Sequence, residues 1–185
     1  DGDPDWYGSL VSQEDGSRLK TCTPRHLAFV RKRKDAHKDD FAQVARLLKF
    51  WAARLKRESE DFRLKSFMIE LILAHLADQG HSFSDYPEAL QQFFTYVAKS
   101  GLRERIVFSD YYKPSTCGAL TDPVQVIDPV NADNNVSRLY TQAQADAIVD
   151  AALDAGDAID SALAAPTKQE TVYYWRKVFG SSFQL

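Results

Sequence analysis

Two side chains in this 185-residue sequence stand where they could hold a phosphate, Lys49 and Ser66. Lys49 lies within Leu47-Leu48-Lys49-Phe50-Trp51, inside a segment whose apolar positions Phe41, Val44, Leu48, Trp51 and Leu55 recur at spacings of three and four. That period predicts an amphipathic helix over 41–58. Lys49 falls beside the apolar stripe, so its stem can lie on apolar surface while its ammonium reaches a polar cleft. A partly desolvated ammonium suits a triphosphate as a point charge. Ser66 opens the next helix as its expected N-cap, where a hydroxyl and free backbone N–H groups make an anion site. The plainer alternative is a lysine that only snorkels and a serine that only caps.

Other chemistry is missing. The sequence holds no Gly-x-Ser-x-Gly, no His-Glu-x-x-His, no Cys-x-x-Cys and no Gly-rich phosphate loop, which removes the common hydrolase, zinc and P-loop signatures. His26, His37, His75 and His81 fall on separate elements without ligand spacing, and His75, on an apolar helix, reads as a satisfied core histidine. Asp1-Gly2-Asp3 resembles a two-aspartate metal motif, but it adjoins Pro4 with no flanking apolar strand, so no metal site is assigned there. Cys22 and Cys117 read as reduced structural residues, which suits a cytoplasmic protein. The residues present bind phosphate more convincingly than they cleave anything.

The elements that must position Lys49 and Ser66 follow from composition and periodicity. With 44% hydrophobic and 26% charged residues, the chain suits one globular domain. No apolar run reaches about eighteen residues, which excludes a helical membrane span. From Arg25 to Lys65 thirteen Lys/Arg face six Asp/Glu, a local charge of +7, although the whole chain carries −3. Such a basic segment calls for an anionic ligand, unless it is only a solvated helix face. Overall acidity favours a small ligand over nucleic acid. The chain starts without Met and its sole methionine is Met68, so it reads as a fragment, an engineered domain or a processed product.

Residues 1–22 read as irregular, with a short strand pair around 6–10 and 18–22. Thr23-Pro24 predicts a helix start with Thr23 as cap, followed by a helix over 26–34 that ends in the basic run Arg31-Lys32-Arg33-Lys34. Asp39 or Asp40 caps the helix of Lys49, whose exposed face carries Arg46, Arg54, Lys56 and Arg57. The run 67–76 is apolar nearly all round and predicts the central helix, ended by Gly80; Glu70 inside it is a buried carboxylate that needs a partner. Further helices begin at Tyr86-Pro87, closed by Gly101, at Thr141 over 142–164, with Gly156 weakening the middle, and at the capping box Thr167-Lys168-Gln169-Glu170. Between them, 124–127 reads as extended and 128–135 as a polar turn with Asx chemistry.

Five stretches add a more specific signal. They are Thr23-Pro24-Arg25-His26 with Phe29-Val30-Arg31; Ala45-Arg46-Leu47-Leu48-Lys49-Phe50-Trp51; Ser66-Phe67-Met68-Ile69-Glu70-Leu71; Val126-Ile127-Asp128-Pro129-Val130-Asn131 with Asn134-Asn135-Val136; and Tyr174-Trp175-Arg176-Lys177-Val178-Phe179-Gly180. In this order they resemble the C-terminal half of nucleotidyltransferases of the oligoadenylate synthetase and cyclic GMP–AMP synthase type, particularly bacterial cyclic-oligonucleotide synthases of anti-phage signalling. The resemblance implies a mainly α fold, a helical lobe of roughly six helices with minor extended segments, forming the C-terminal lobe of a two-lobed enzyme. Residues 1–22 would lead in from a missing catalytic lobe and 23–185 would form the nucleotide-binding lobe.

The resemblance also implies roles. Lys49 matches the lysine on the donor triphosphate, and Ser66 a position that contacts phosphate or base. The turn carrying Asp128, Asn134 and Asn135 would pack near the cleft. The family's Gly-Ser helix and its three metal-binding or catalytic aspartates have no counterpart here, so no catalytic residue is assigned to this chain, and Mg²⁺ would be held by the missing lobe. Implied partners are that lobe and nucleoside triphosphates, while the exposed-looking tail Ser181-Ser182-Phe183-Gln184-Leu185 suits a regulatory or conjugating protein. A non-catalytic helical interaction module and a nucleic-acid-sensing lobe are the alternatives.

Overall fold

A computed structural model describes residues 6–11 and 16–184. In chain order these form an antiparallel hairpin of β1 (Gly8–Val11) and β2 (Arg18–Thr21), then α1 (Thr23–His37), α2 (Asp40–Glu58), α3 (Ser66–Asp78) and α4 (Tyr86–Ser100). A long connection containing the 3-10 turn Pro114–Thr116 leads to a second small antiparallel hairpin, β3 (Ile127–Asp128) and β4 (Asn131–Asn135). The helices α5 (Gln142–Ala164) and α6 (Lys168–Phe179) complete the fold. The mainly α expectation holds, with helices carrying the core and two short hairpins at its edge. The aspartates of Asp1-Gly2-Asp3 lie outside the described residues.

The all-round apolar run becomes the innermost helix. Along α3, Met68, Ile69, Leu71, Ile72 and Leu73 are wholly buried, as expected when a helix has neighbours on every side. The stripe on α2 lands inward too: Phe41, Val44, Leu48 and Trp51 are buried. Trp51 meets Phe62 and Phe94 edge-on, at ring distances of 5.7 and 4.8 Å, which ties α2 to its following loop and to α4. Thr141 and Gln144 form a reciprocal capping box at the start of α5, and that helix continues without a break through Gly156, because its neighbours α4 and α6 hold it from both sides.

Two helix starts differ from expectation. Cys22 is the N-cap of α1, with the first-turn bond from His26 N–H to the Cys22 carbonyl at 3.0 Å, so Thr23 is already helical. Lys65, in extended conformation, caps α3 and accepts from Ile69 N–H at 3.2 Å. Ser66 is therefore the first helical residue and not the cap. Asp39 takes the N-cap position of α2, as expected, although its side chain makes no capping hydrogen bond.

The basic run at the end of α1 is not uniformly solvated. Arg33 is 5% exposed. Its guanidinium donates to Asp78 at 3.1 and 2.5 Å, to Asp110 at 3.3 and 2.9 Å, and to the Phe29 carbonyl at 3.2 Å. It also lies over the Phe29 ring, 3.7 Å from the centroid. One cation thus joins α1, the end of α3 and the connection after α4, and a buried charge is tolerable only with partners of this kind. Arg54 departs from its expected exposed face in the same way. It donates to the carbonyls of Lys177 and Val178 at 3.1 Å each, closing the C-terminal end of α6, where carbonyls lack helical partners.

Candidate functional site

The Lys49 side chain leaves α2 beside the buried stripe and pairs with Glu70 of α3. The expected partner of the lone carboxylate in the apolar helix is thus the lysine of the preceding one. Both ends are half-buried, at 33% and 25% side-chain exposure. Glu70 stands four residues after Ser66 on the same helix, so the two share a face. Lys49 is consequently held one helical turn from Ser66. Ser66 is exposed, and no side chain caps this end of α3. The first N–H groups of a helix have no intrahelical acceptor and carry the positive end of its dipole. Lysine, serine hydroxyl and helix N-terminus together can bind an anion such as phosphate. The structure brings Lys49 and Ser66 to one face, and adds Glu70.

The residues Asp128, Asn134 and Asn135 sit at the β3–β4 hairpin, in a groove shared with Lys65 and Phe67 at the start of α3. Asp128 is a hub. Its Oδ1 receives Val130 N–H at 2.9 Å and lies 2.7 Å from His26 Nε2, while its Oδ2 accepts from Asn134 at 3.1 Å. Its carbonyl accepts from the Tyr112 hydroxyl at 2.8 Å. Burial, followed by neighbouring Cys117 and Asp128, pushes the Tyr112 phenol above its ordinary range, so it remains a donor. His26 also meets the Phe67 ring edge-on at 5.4 Å. The network therefore ties α1 and the hairpin to the first turn of α3. Of its residues, His26, Asp128 and Asn134 line a groove of 680 Å³ together with Thr21, Lys65, Phe67 and Arg138.

Asn135 lines the same groove, and its side chain is bonded within the hairpin. Its amide donates to the Val124 carbonyl at 2.8 Å and to Asp122 at 2.9 Å. Its carbonyl oxygen accepts from Val126 N–H, Ser137 N–H and the Ser137 hydroxyl at 3.0, 3.1 and 2.7 Å. An asparagine with both amide hydrogens and its oxygen committed has nothing left for a ligand. It holds the hairpin together from inside, although it touches the groove wall. The polar stretch 128–135, expected as a turn, becomes a hairpin because such side-chain bonds supply what its short ladder lacks.

His26 escaped the sequence reading because its partner is 102 residues away, and no local pattern marks such a pair. The C-terminal segment expected to be exposed folds back as far as it is described. Phe183 stacks on Phe179 at 5.8 Å and its carbonyl accepts from Arg176 at 3.1 Å. Gly180, at φ +88° and with Arg54 Cδ 3.2 Å from where a Cβ would stand, permits that reversal. Ser181, Ser182 and Gln184 remain exposed. Among the described residues no three His, Cys, Asp or Glu side chains converge as metal ligands, and no helix is long and apolar enough to cross a membrane.

No family model matches the sequence. The chain is 64% identical over 183 residues to a cyclic AMP-AMP-AMP synthase of Escherichia coli (strain MS 115-1), covering 99% of this chain and 57% of that protein. It is 33% identical over 183 residues to the CBASS oligonucleotide cyclase CdnC of Escherichia coli (strain KTE188), covering 54% of it. Its fold matches the structure of E. coli MS115-1 CdnC with ATP at a TM-score of 0.96 and 63% identity, over 100% of this chain and 58% of that one. A CdnC:HORMA-deltaN complex matches at 0.94 and 61%, over 100% of this chain and 57% of that one. The chain thus spans little more than half the length of the relatives it matches. With near-complete coverage of its own residues and one shared helical architecture, the chain is similar to the C-terminal helical half of these cyclic-oligonucleotide synthases.

Proposed function

We propose that this chain is the nucleotide-binding lobe of an enzyme that makes cyclic oligonucleotides from nucleoside triphosphates in anti-phage signalling. Lys49 and Ser66 bind the donor triphosphate on the open N-terminus of α3. The observation that carries the reading is the juxtaposition of Lys49 with the first turn of α3, in a chain 63% identical to a protein whose structure is described with ATP. Asp128, Asn134 and His26 keep the first turn of α3 and the hairpin in register, and so shape the adjacent groove. In this reading the 185 residues supply nucleotide binding and no metal ligand. Acid, base and metal ligands belong to a catalytic lobe outside these 185 residues.

A regulatory protein is a further partner, supported by the relative's complex with HORMA-deltaN. The test of the nucleotide reading is a titration of the full-length protein with ATP. A charge-assisted contact contributes about 1.5–3 kcal/mol, so Lys49→Ala should weaken ATP binding about tenfold or more. An unchanged ATP affinity in Lys49→Ala would overturn the phosphate assignment. A steeply salt-dependent affinity for duplex nucleic acid, lost with the same change, would favour the sensing alternative.

A further inference from the structure

We infer that Glu70 is a positioning residue for the nucleotide: its carboxylate sets the direction in which Lys49 presents its ammonium to a triphosphate. This rests on the proposed role of Lys49. Four observations lead to it. First, Glu70 stands in a helix whose surrounding positions, Met68, Ile69, Leu71, Ile72 and Leu73, are wholly buried and apolar. A carboxylate there costs desolvation, and replacing a partly buried ion pair by apolar residues is often neutral or stabilising, so packing does not account for it. Second, Lys49 is its ion-pair partner, from a different helix.

Third, direction matters. Side chains on a helix lean towards its N-terminus, so Glu70 draws the Lys49 ammonium towards the turn that carries Ser66. A lysine has three donors; Glu70 occupies one, and two stay free for phosphate oxygens. Fourth, the pair is only half-buried, so a ligand can reach it. An untethered lysine would give up its rotamer freedom on binding, a loss equivalent to as much as about thirtyfold in affinity. Protein kinases use the same device, a lysine–glutamate ion pair that must be in place for the lysine to serve the nucleotide phosphates. The carboxylate also repels a triphosphate, and the two effects have opposite signs in a binding experiment.

The experiment titrates ATP and adenosine into the full-length protein and into its Glu70→Gln, Glu70→Ala, Lys49→Ala and Lys49→Ala/Glu70→Ala variants, with circular dichroism to check folding. Glu70→Ala should weaken ATP about tenfold, within the range set by lysine rotamer freedom. Glu70→Gln keeps an oxygen acceptor and should stay within about threefold of the parent. Adenosine, which has no phosphate, should bind all variants alike. In the Lys49→Ala background the Glu70→Ala change should cause no further loss, since a positioning residue acts through the group it positions and only relief of repulsion is left. Tighter or unchanged ATP binding by Glu70→Ala overturns the inference, as does an equal loss with and without Lys49. If Lys49→Ala alone leaves ATP binding unchanged, the Lys49 assignment falls and this inference with it; a failure confined to the Glu70 variants leaves Lys49 standing.

Discussion

Replacing Arg33 by methionine keeps an unbranched stem in the core but removes the guanidinium. Among the described residues, Asp110, with a side chain 10% exposed, would then keep one cation, Lys32 at 3.0 Å, a residue 72% exposed. Breaking a buried ion pair by removing one partner costs about 3–5 kcal/mol. Asp78 is 46% exposed and rehydrates, which places the expected loss near the lower end, at about 3 kcal/mol. For a chain of this size each kcal/mol moves the melting temperature by about 2–4 °C, so Arg33→Met should lower it by about 6–12 °C. The assay is thermal unfolding of the full-length protein followed at 222 nm. Burial favours the neutral form of Asp110, but the hydrogen bonds and charges of Arg33 and Lys32 outweigh it and hold the carboxyl below its ordinary value of 3.8. A depressed carboxyl contributes stability that is full above that value and is lost as pH falls through and below it. In Arg33→Met burial prevails, so acid should unfold the variant at higher pH than the parent. Adding Asp110→Asn to Arg33→Met should recover a large part of the loss. A fall of less than about 3 °C, or an Asp110→Asn change with the same cost in both backgrounds, would refute the reasoning.

Two further outcomes test the site and its surroundings. Asn135→Ala leaves buried donors and an acceptor unpaired, each costing about 1–3 kcal/mol, so it should lower the melting temperature while the correctly folded fraction keeps its ATP affinity; weakened ATP binding at unchanged stability would return Asn135 to the cleft. His75, which accepts from Gln79 at 3.0 Å, is held below its ordinary value of 6.5, chiefly by burial, with Glu104 opposing. The 3.7 Å approach to Glu104 is then a contact of a neutral ring. The unfolded chain takes up the proton that the folded one resists, so the contribution of His75 is present above about pH 6.5 and declines as pH falls below it. His75→Gln should flatten that part of the stability–pH curve in denaturant titrations, and an unchanged slope would show that His75 is not its source.

Local physics explains what could be read without coordinates. The three–four spacing along α2 and the apolar run of α3 specify helices and their inward faces, because helical period and burial are properties of neighbouring residues. The capping box at Thr141 marks the start of α5, since its partners lie three residues apart. The proposed phosphate site starts from a pattern of the same local kind, a lysine beside a buried stripe followed by a serine at a helix start. Its electrostatics are not local, because Lys49 meets Glu70 across two helices. Charge sign alone does not reveal burial. Arg33, in a run of four cations, is enclosed by Asp78 and Asp110 from distant segments, while Lys32 beside it is mostly exposed. The stretch 131–135 has little intrinsic preference for a strand, and it becomes one through the bonds of Asn135 to Val124, Val126 and Ser137. Periodicity and caps act over three or four residues and are written in the sequence. Ion pairs and buried hydrogen-bond hubs depend on which distant groups packing brings within about 3 Å, and that follows from the assembled fold.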